Sequence, residues 1–251
     1  MNICSFLRTI RHSSESYPEV FDKKGLIITC VNPFSYHIVR NNRELYDKFD
    51  EIFVDGISMC WWIRLLWGIK ITRLSFDMSG MAVDLFSRLN NNQIESIFFI
   101  GSKQESIEQT ISQFMLAYPK MRVIGFRNGY FNDEKERADS IIHIISTNPT
   151  FVVIGMGSPL QEQYAVELKE AGYNGTVFTC GGFLHQSTNS INYYPEWINK
   201  YNLRAFYRLF REKGLWGRLY NVLIQFPILF IWDTIRTKLF NKKLRKRPTT
   251  V

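Results

Sequence analysis

Cysteine is scarce in this sequence, and its placement excludes two kinds of site. The four cysteines are Cys4, Cys30, Cys60 and Cys180, which form no CxxC pair and have no histidine at metal-ligand spacing. Zinc centres and disulfide frameworks both depend on regular spacings of this sort. We therefore expect buried free thiols and no metal site.

Long apolar runs are also lacking. The amino-terminal stretch MNICSFLRTIRHSS has no continuous apolar segment of the kind a signal peptide requires, so we expect the chain to stay on the cytoplasmic side. Segment 219–232 is strongly apolar, but Asn221, Gln225 and Pro227 interrupt it. It is also shorter than the roughly 20 apolar residues of a spanning helix. No part of the chain is expected to cross a bilayer.

Acidic residues are rare in segment 204–247, which contains only Glu212 and Asp233 beside many lysines and arginines. Such a basic tail attracts nucleic acid, a phosphorylated ligand or anionic lipid. Because the basic residues bracket an apolar segment, the pattern favours a peripheral anchor on the membrane surface. The alternative function is a basic nucleic-acid-binding protein without enzyme activity. The alternative structure is a helical hairpin packed on the core or a homo-oligomer interface.

Short apolar runs alternate with helix-length amphipathic segments in the first three quarters of the chain. This alternation predicts an α/β, Rossmann-like, doubly wound and mostly parallel sheet. Because the strands stop after Pro195, we expect a core at 1–195 and a C-terminal helical, membrane-associating appendage at 196–251. The predicted strands are GLIITCV (25–31), EIFV (51–54), IESIFFIG (94–101), MRVIGF (121–126), TFVVIGMG (150–157) and GTVFTCGG (175–182).

Three of these strands end in segments that are typical of ligand sites. They are Asp55-Gly56, GSK (101–103) and GMGSPLQEQ (155–163), and an open parallel sheet binds its ligands at this edge. In the third segment the glycines would let a diphosphate approach backbone N–H groups, and Pro159 suits the first turn of a helix. A tight turn that needs glycine only for its geometry explains that segment equally well.

Asp55 is the candidate general base, because a carboxylate at the end of a buried strand can accept the proton of a sugar hydroxyl. A simple Asp-Gly turn is the alternative. Arg73 could hold a phosphate or a sugar through its planar guanidinium, or it could be a solvated surface arginine. An NAD-dependent oxidoreductase would need GxGxxG after the first strand, and segment 25–34 has no such motif.

Seven blocks follow one another along the chain. They are Asn32 after the first strand, VDG (54–56), Arg73, IFFIGSKQ with YPKMRVIGFRNGYF, GMGSPLQE, TCGGFLHQST and PEWINKYNLRAFYRLFRE. Taken in this order they resemble the WecG/TagA/CpsF family of glycosyltransferases, glycosyltransferase family 26, and the GxGxPxQE block is the most specific of them.

The resemblance implies a metal-independent, inverting transfer of an N-acetylmannosamine-type sugar or a related hexose, with no cofactor. The donor would be a UDP-sugar and the acceptor a polyprenyl-diphosphate-linked sugar at the inner leaflet of the cytoplasmic membrane, in surface polysaccharide biosynthesis. Asp55 matches the family's base and Arg73 its arginine near the substrate. The predicted substrate-binding residues are Asn32, Gly56, Gly101, Gly155, Gly157, Pro159, Gln161, Glu162, Gly181 and, at the acceptor diphosphate, Arg204, Arg208 and Arg218.

The chain departs from the family pattern at three places near the predicted pocket. Cys30 replaces a threonine that often precedes the asparagine by two positions. LSFDMSG lacks the usual glycine after the arginine, and GGFLHQS lacks the acid of the GxFD block. These departures leave the identity of the donor sugar open.

Overall fold

A computed structural model describes residues 2–188 and 216–245, together with Ile198 and Tyr207. At its centre is one six-stranded sheet with the strand order β2-β1-β6-β5-β3-β4. All of its paired strands run parallel. The strands are β1 Ile27–Val31, β2 Glu51–Val54, β3 Ser96–Gly101, β4 Arg122–Arg127, β5 Phe151–Gly155 and β6 Thr176–Thr179.

The six predicted strands are confirmed, with ends that differ from the predicted ones by up to a few residues. The predicted α/β, doubly wound architecture is confirmed as well. The helices are α1 Ile3–Ser16, α2 Tyr36–Asn41, α3 Arg43–Tyr46, α4 Ile57–Trp67, α5 Met81–Asn91, α6 Gln104–Ala117, α7 Glu134–Thr147, α8 Leu160–Glu170, α9 Phe183–Gln186, α10 Trp216–Tyr220 and α11 Phe226–Arg245, with a 3-10 turn at Glu19–Phe21.

The sheet is buried on both faces because its strands are apolar at successive positions. Along β5, Phe151 and Val153 pack in one core, whereas Val152 and Ile154 pack in the other. Alternate side chains of a strand point to opposite faces, so a continuous apolar run serves two layers. The first layer contains α1 to α4, α7, α8 and α11, and the second contains the 3-10 turn, α5, α6 and α9.

Helix α1 was not among the predicted elements. Asn2 caps it by accepting a hydrogen bond from the Ser5 backbone N–H at 2.8 Å. Its apolar residues recur at helical spacing, which gives the helix one buried face. That face packs against β2 and covers the edge of the sheet, and its buried apolar residues are Ile3, Phe6, Leu7 and Ile10.

The C-terminal helices α10 and α11 are joined by a π-helical turn, Asn221–Gln225. Within it the Phe226 N–H donates to the carbonyl of Asn221, five residues earlier. Pro227 has no N–H to donate, and a π turn is one way in which a helix accommodates such a gap. None of the described helices combines the length and apolar character that a membrane-spanning segment needs.

Helix α11 is fixed to the core by apolar and polar contacts. Phe226 and Phe230 are buried, and their rings lie 5.4 and 5.5 Å from that of Tyr36. Asp233 accepts hydrogen bonds from Tyr36 Oη at 3.0 Å and Arg40 Nε at 2.9 Å. Burial raises the pKa of Tyr36, and the charge of Asp233 raises it further. The predicted helical appendage is therefore packed on α2 of the core.

A second set of polar contacts ties α11 to α4. Trp67 Nε1 donates to Thr234 Oγ1 at 3.0 Å, and Lys238 Nζ donates to the carbonyl of Leu66 at 2.8 Å. Both α2 and α4 follow strand ends of the predicted site, because α2 comes after β1 and α4 after β2. The helix therefore packs against the two helices that leave those strand ends. The predicted domain boundary at 195/196 lies outside the described residues.

Candidate active site

Asp55 and Arg73 form an ion pair at the carboxyl end of β2. Arg73 Nη2 donates to Asp55 Oδ1 at 2.9 Å. The side chain of Asp55 is 34% exposed and that of Arg73 is 19% exposed, so the pair is only partly shielded from solvent. In the part of the chain that the structure describes, no hydrogen bond reaches Asp55 Oδ2. This second oxygen is the one that an incoming hydroxyl could meet.

The backbone brings these two residues together although 18 positions separate them. The Asp55 N–H donates to the carbonyl of Val31, which holds the end of β2 beside β1. The Leu74 N–H donates to the carbonyl of Val54 at 2.9 Å, so the segment containing Arg73 returns along the same strand end. The predicted base and the predicted arginine are thus neighbours.

Arg73 is held by a short polar chain. Its Nη2 also donates to Ser75 Oγ at 3.2 Å, and Ser75 Oγ donates to Asp77 Oδ2 at 2.8 Å. Burial lowers the pKa of Arg73, but the charges of Asp55 and Asp77 raise it more, and the net shift is upward. The guanidinium therefore stays charged and its direction is set by Asp55 and Ser75.

Two further predicted residues shape the backbone around Asp55. Gly56 has φ +144°, and a Cβ there would lie 2.7 Å from Pro33 Cδ, so only glycine fits beneath that ring. Asn32 Oδ1 accepts the Ser35 N–H at 2.9 Å, and the Asn32 N–H donates to Ser35 Oγ at 3.0 Å. Both residues support the loops beside the ion pair. Their predicted contact with substrate stays a prediction.

The glycine turns after β3 and β5 lie at a reversal of the strand order. The chain leaves β3 for the edge strand β4 and leaves β5 for β6 on the opposite side, which opens a crevice between the two strands. Gly101 pairs with Gly155 across it, and a Cβ on Gly101 would lie 2.3 Å from the Gly155 carbonyl oxygen. At Gly157, by contrast, no atom of the described residues lies within 4 Å of a Cβ. Gly157 is the glycine of this turn at which a ligand has room to approach.

The end of the GMGSPLQE block is turned into the protein. Pro159 occupies the cap position of α8, one residue earlier than the predicted first turn. Gln161 is buried: its Nε2 donates to Glu162 Oε1 at 2.9 Å, and its Oε1 accepts the Gly181 N–H at 3.0 Å. Gln161 thus holds the turn after β6 with both ends of its amide.

Glu162 is 1% exposed and no cation pairs with it among the described residues. Its Oε1 accepts hydrogen bonds from Ser158 Oγ at 2.9 Å and Thr29 Oγ1 at 3.2 Å, in addition to the one from Gln161. Thr179 Oγ1 donates in turn to Thr29 Oγ1 at 2.7 Å. Burial raises the pKa of Glu162, although these hydrogen bonds lower it.

Sequence reasoning missed the threonines that complete this network. Thr29 and Thr179 lie on neighbouring strands, inside the runs IITCV and TVFT. The available signal was a hydroxyl within each apolar strand, in the middle of β1 and at the last residue of β6, because a buried polar group needs a partner.

The predicted acceptor-binding arginines are not placed by the structure. Arg204 and Arg208 lie outside the described residues. Arg218 belongs to α10, but its side chain is outside the described part. Within residues 2–188 and 216–245 no group of three or more histidine, cysteine or carboxylate side chains could hold a metal ion. The four cysteines are free; Cys60 and Cys180 are buried, and Cys4 and Cys30 are partly buried.

Residues 8–243 match the glycosyl transferase WecG/TagA/CpsF family. The chain belongs to this family. It is therefore a glycosyltransferase, and the alternative of a protein without enzyme activity was wrong.

Two kinds of WecG/TagA/CpsF relative are similar to the chain over most of its length. A UDP-Gal:alpha-D-GlcNAc-diphosphoundecaprenol beta-1,4-galactosyltransferase of Shigella boydii is 31% identical over 216 residues, which cover 86% of this chain and 90% of the relative. An N-acetylglucosaminyldiphosphoundecaprenol N-acetyl-beta-D-mannosaminyltransferase of Bacillus subtilis is 26% identical, covering 80% of this chain and 77% of the relative. The same activity is named for a Bacillus spizizenii protein that is 23% identical, covering 85% and 81%.

Proposed function

We propose that this chain transfers a hexose or N-acetylhexosamine from a UDP-sugar to a sugar linked to polyprenyl diphosphate. The observation that carries the proposal is the Asp55–Arg73 pair, which lies at the ligand edge of the sheet in a member of this family. The named relatives act on GlcNAc-diphosphoundecaprenol, which supports an acceptor of that class.

The proposed reaction is a single displacement with inversion. The acceptor hydroxyl oxygen bonds to the anomeric carbon while the bond from that carbon to the UDP oxygen breaks and its electron pair leaves with UDP. Asp55 takes the hydroxyl proton through Oδ2, since Oδ1 is engaged by Arg73. Arg73 fixes the direction of the carboxylate. Backbone N–H groups of the turn at Gly157 and arginines of segment 204–218 stabilise the charge of the departing diphosphate without a metal.

The donor sugar is the finer part of the proposal. The relatives differ between galactose and N-acetylmannosamine, and the galactosyltransferase shares the higher identity with this chain. Cys30, which replaces the threonine frequent in the family, lies beside the base: burial raises the pKa of its thiol, and the charge of Asp55 raises it further. A neutral thiol cannot match the hydrogen bonds of a hydroxyl. Cys30 is a natural place to look for donor selection.

The membrane is the proposed location of the acceptor. The outer side of α11 exposes an apolar stripe with helical spacing, formed by Ile228, Trp232, Ile235 and Leu239. Of the described residues 216–245, the only acidic one is Asp233, which is buried. An apolar stripe with basic neighbours suits the surface of an anionic leaflet. We place this stripe on the cytoplasmic face of the membrane.

A donor screen tests the reaction. Full-length protein is incubated with a short-chain polyprenyl-diphosphate-GlcNAc acceptor and, in turn, UDP-galactose, UDP-N-acetylmannosamine, UDP-glucose and UDP-N-acetylglucosamine, with and without EDTA. We expect one donor to add a single sugar mass to the acceptor and to release one UDP for each product, with no effect of EDTA. UDP release without product, or strict dependence on a metal, contradicts the proposal.

A matched pair of variants tests the membrane surface. Ile235→Glu places a charge in the exposed stripe of α11, whereas Ile94→Glu places the same charge on an exposed isoleucine before β3. We expect Ile235→Glu to weaken binding to anionic liposomes and Ile94→Glu to leave it unchanged. Equal liposome binding by both variants would show that the stripe does not contact the membrane. A loss of dimers in Ile235→Glu would identify the stripe as an oligomer interface.

A further inference from the structure

The carboxyl group of Glu162 joins the middle of β1 to the turns after β5 and β6. Its Oε1 accepts one hydrogen bond from Thr29 on β1 and one from Ser158 in the turn after β5. The third comes from Gln161, whose other end accepts the backbone N–H of Gly181 after β6. A single buried oxygen therefore connects the two turns that flank the proposed donor site.

The two carboxyl oxygens of Glu162 are used very differently. Three donors converge on Oε1, whereas Oε2 is buried without a hydrogen-bond partner in the described structure. A carboxylate charge so far from water would need a cation or further donors. The neutral acid costs less in this position, because it places no unpaired charge in the interior while its carbonyl oxygen still accepts the three bonds.

Glu162 is closed off from any ligand in this arrangement. It is covered by β1 and by Tyr46 of α3, whose hydroxyl lies beside the carboxyl group. Burial raises the pKa of Tyr46, and the charge of Glu162 and a hydrogen bond with its carboxyl group raise it further. The turns that it holds are less covered, since none of the described residues lies within 4 Å of a Cβ placed at Gly157 or Gly181. An effect of Glu162 on substrate must therefore pass through those turns.

We infer that Glu162 is a positioning residue for the UDP-sugar: as a neutral acid it holds Ser158, Gln161 and, through Gln161, the Gly181 N–H in the arrangement that binds the donor. This inference rests on the proposed function, since it takes the turns after β5 and β6 as the donor site. It replaces the predicted direct contact between Glu162 and substrate. The residues that face the donor are the glycines of the two turns.

Glu162→Ala and Glu162→Gln separate positioning from charge. Alanine removes the acceptor of three hydrogen bonds, and we expect the KM for the UDP-sugar to rise about 10-fold or more while kcat changes less. Glutamine keeps a carbonyl oxygen at Oε1 and resembles the neutral acid in shape. It should restore the KM to within about threefold of the wild-type value. Thr29→Val, which removes one of the three donors, should shift the KM in the same direction by less.

Leu168→Ala is the control for a loss of stability alone. Leu168 is buried on the same helix, α8, but belongs to the apolar core and not to the network. We expect it to lower the melting temperature and leave the donor KM unchanged. An unchanged KM in Glu162→Ala would overturn the inference. An equal rise in Leu168→Ala would do the same, and so would a Glu162→Gln variant as impaired as Glu162→Ala.

UDP binding by calorimetry keeps this test separate from the test of the reaction. If the wild-type protein transfers no sugar, the proposed function fails. The fall in UDP affinity expected for Glu162→Ala, with its recovery in Glu162→Gln, can still be measured and decides the positioning role. If alanine prevents folding, Glu162→Gln and Thr29→Val carry the same comparison.

Discussion

Asp55 and Glu162 are carboxylates at the same edge of one sheet, but they lie in opposite surroundings. Asp55 is partly exposed and is paired with an arginine, and its Oδ2 accepts no hydrogen bond in the described structure. Glu162 is 1% exposed, has no cationic partner among the described residues and accepts three hydrogen bonds at one oxygen. Identical chemistry thus serves two purposes, because the surroundings decide which protonation state is stable.

The difference follows from what covers each strand end. At β2, among the described residues, the chain returns through the segment around Leu74, and the Asp55 side chain stays 34% exposed. At β1, β5 and β6 the first turn of α8 is enclosed between strands and α3. A group that exchanges protons with a substrate needs the first situation, and a group that fixes loops needs the second.

The largest effect is expected for Asp55→Asn. Asparagine keeps the shape and the contact with Arg73 but cannot accept the hydroxyl proton, so we expect kcat to fall by roughly 100-fold or more. UDP affinity should remain near the wild-type value, because the donor turns belong to other strands. Steady-state kinetics and calorimetry measure the two quantities. Asp139→Asn, at an exposed position on α7, is the control and should be fully active. Full activity in Asp55→Asn would show that Asp55 is not the general base.

Asp233→Ala examines a third carboxylate that is buried like Glu162 and paired with arginine like Asp55. Its removal leaves Arg40 and the Tyr36 hydroxyl without their acceptor, and we expect a loss of about 2–3 kcal/mol in the free energy of unfolding. Denaturant titration measures it. Asp233→Asn keeps an acceptor for Tyr36 and should lose less. If neither substitution lowers the free energy of unfolding, the polar contacts do not fix α11 to the core.

Arg73→Lys should have a smaller effect. Lysine keeps the charge but lacks the planar guanidinium that points Nη2 at both Asp55 and Ser75, so the direction of the carboxylate is less well defined. We expect kcat to fall about 10-fold, as for the loss of one charge-assisted hydrogen bond. The donor KM should change little. A rise in the donor KM by a similar factor would instead indicate that Arg73 contacts the donor.

Much of the fold was predictable because the strands are apolar on both faces and continuous. The same type of pattern was present in α1, whose Ile3, Phe6, Leu7 and Ile10 recur at helical spacing, and the helix could have been found from it. The docking of α11 on the core could not be predicted from the sequence. It depends on single contacts such as Asp233 with Arg40, which are 193 positions apart and have no periodic signature.

In the candidate site, too, contacts between distant residues could not be predicted from the sequence. The position of Asp55 followed from the end of a strand, but its pairing with Arg73 depends on the path of the intervening loop. The resemblance to the family implied that Gln161 and Glu162 line the pocket. Their burial depends on Thr29 and Tyr46 from distant segments, which no local pattern reveals.

The last and smallest effect concerns the pH dependence of stability in Glu162→Gln. Burial raises the pKa of Glu162 in the folded protein above the ordinary value of 4.5. The folded state therefore holds the proton more tightly than the unfolded chain does. This contribution to stability is complete below pH 4.5 and is lost as pH rises through the folded pKa. Glutamine is always neutral and has no such loss. We expect Glu162→Gln to match the wild-type protein near pH 4 and to become progressively more stable than it as pH rises above 4.5, in melting curves recorded across that range. A stability difference between the two proteins that stays constant with pH would show that folding does not raise the pKa of Glu162. That result would contradict its role as a neutral acid.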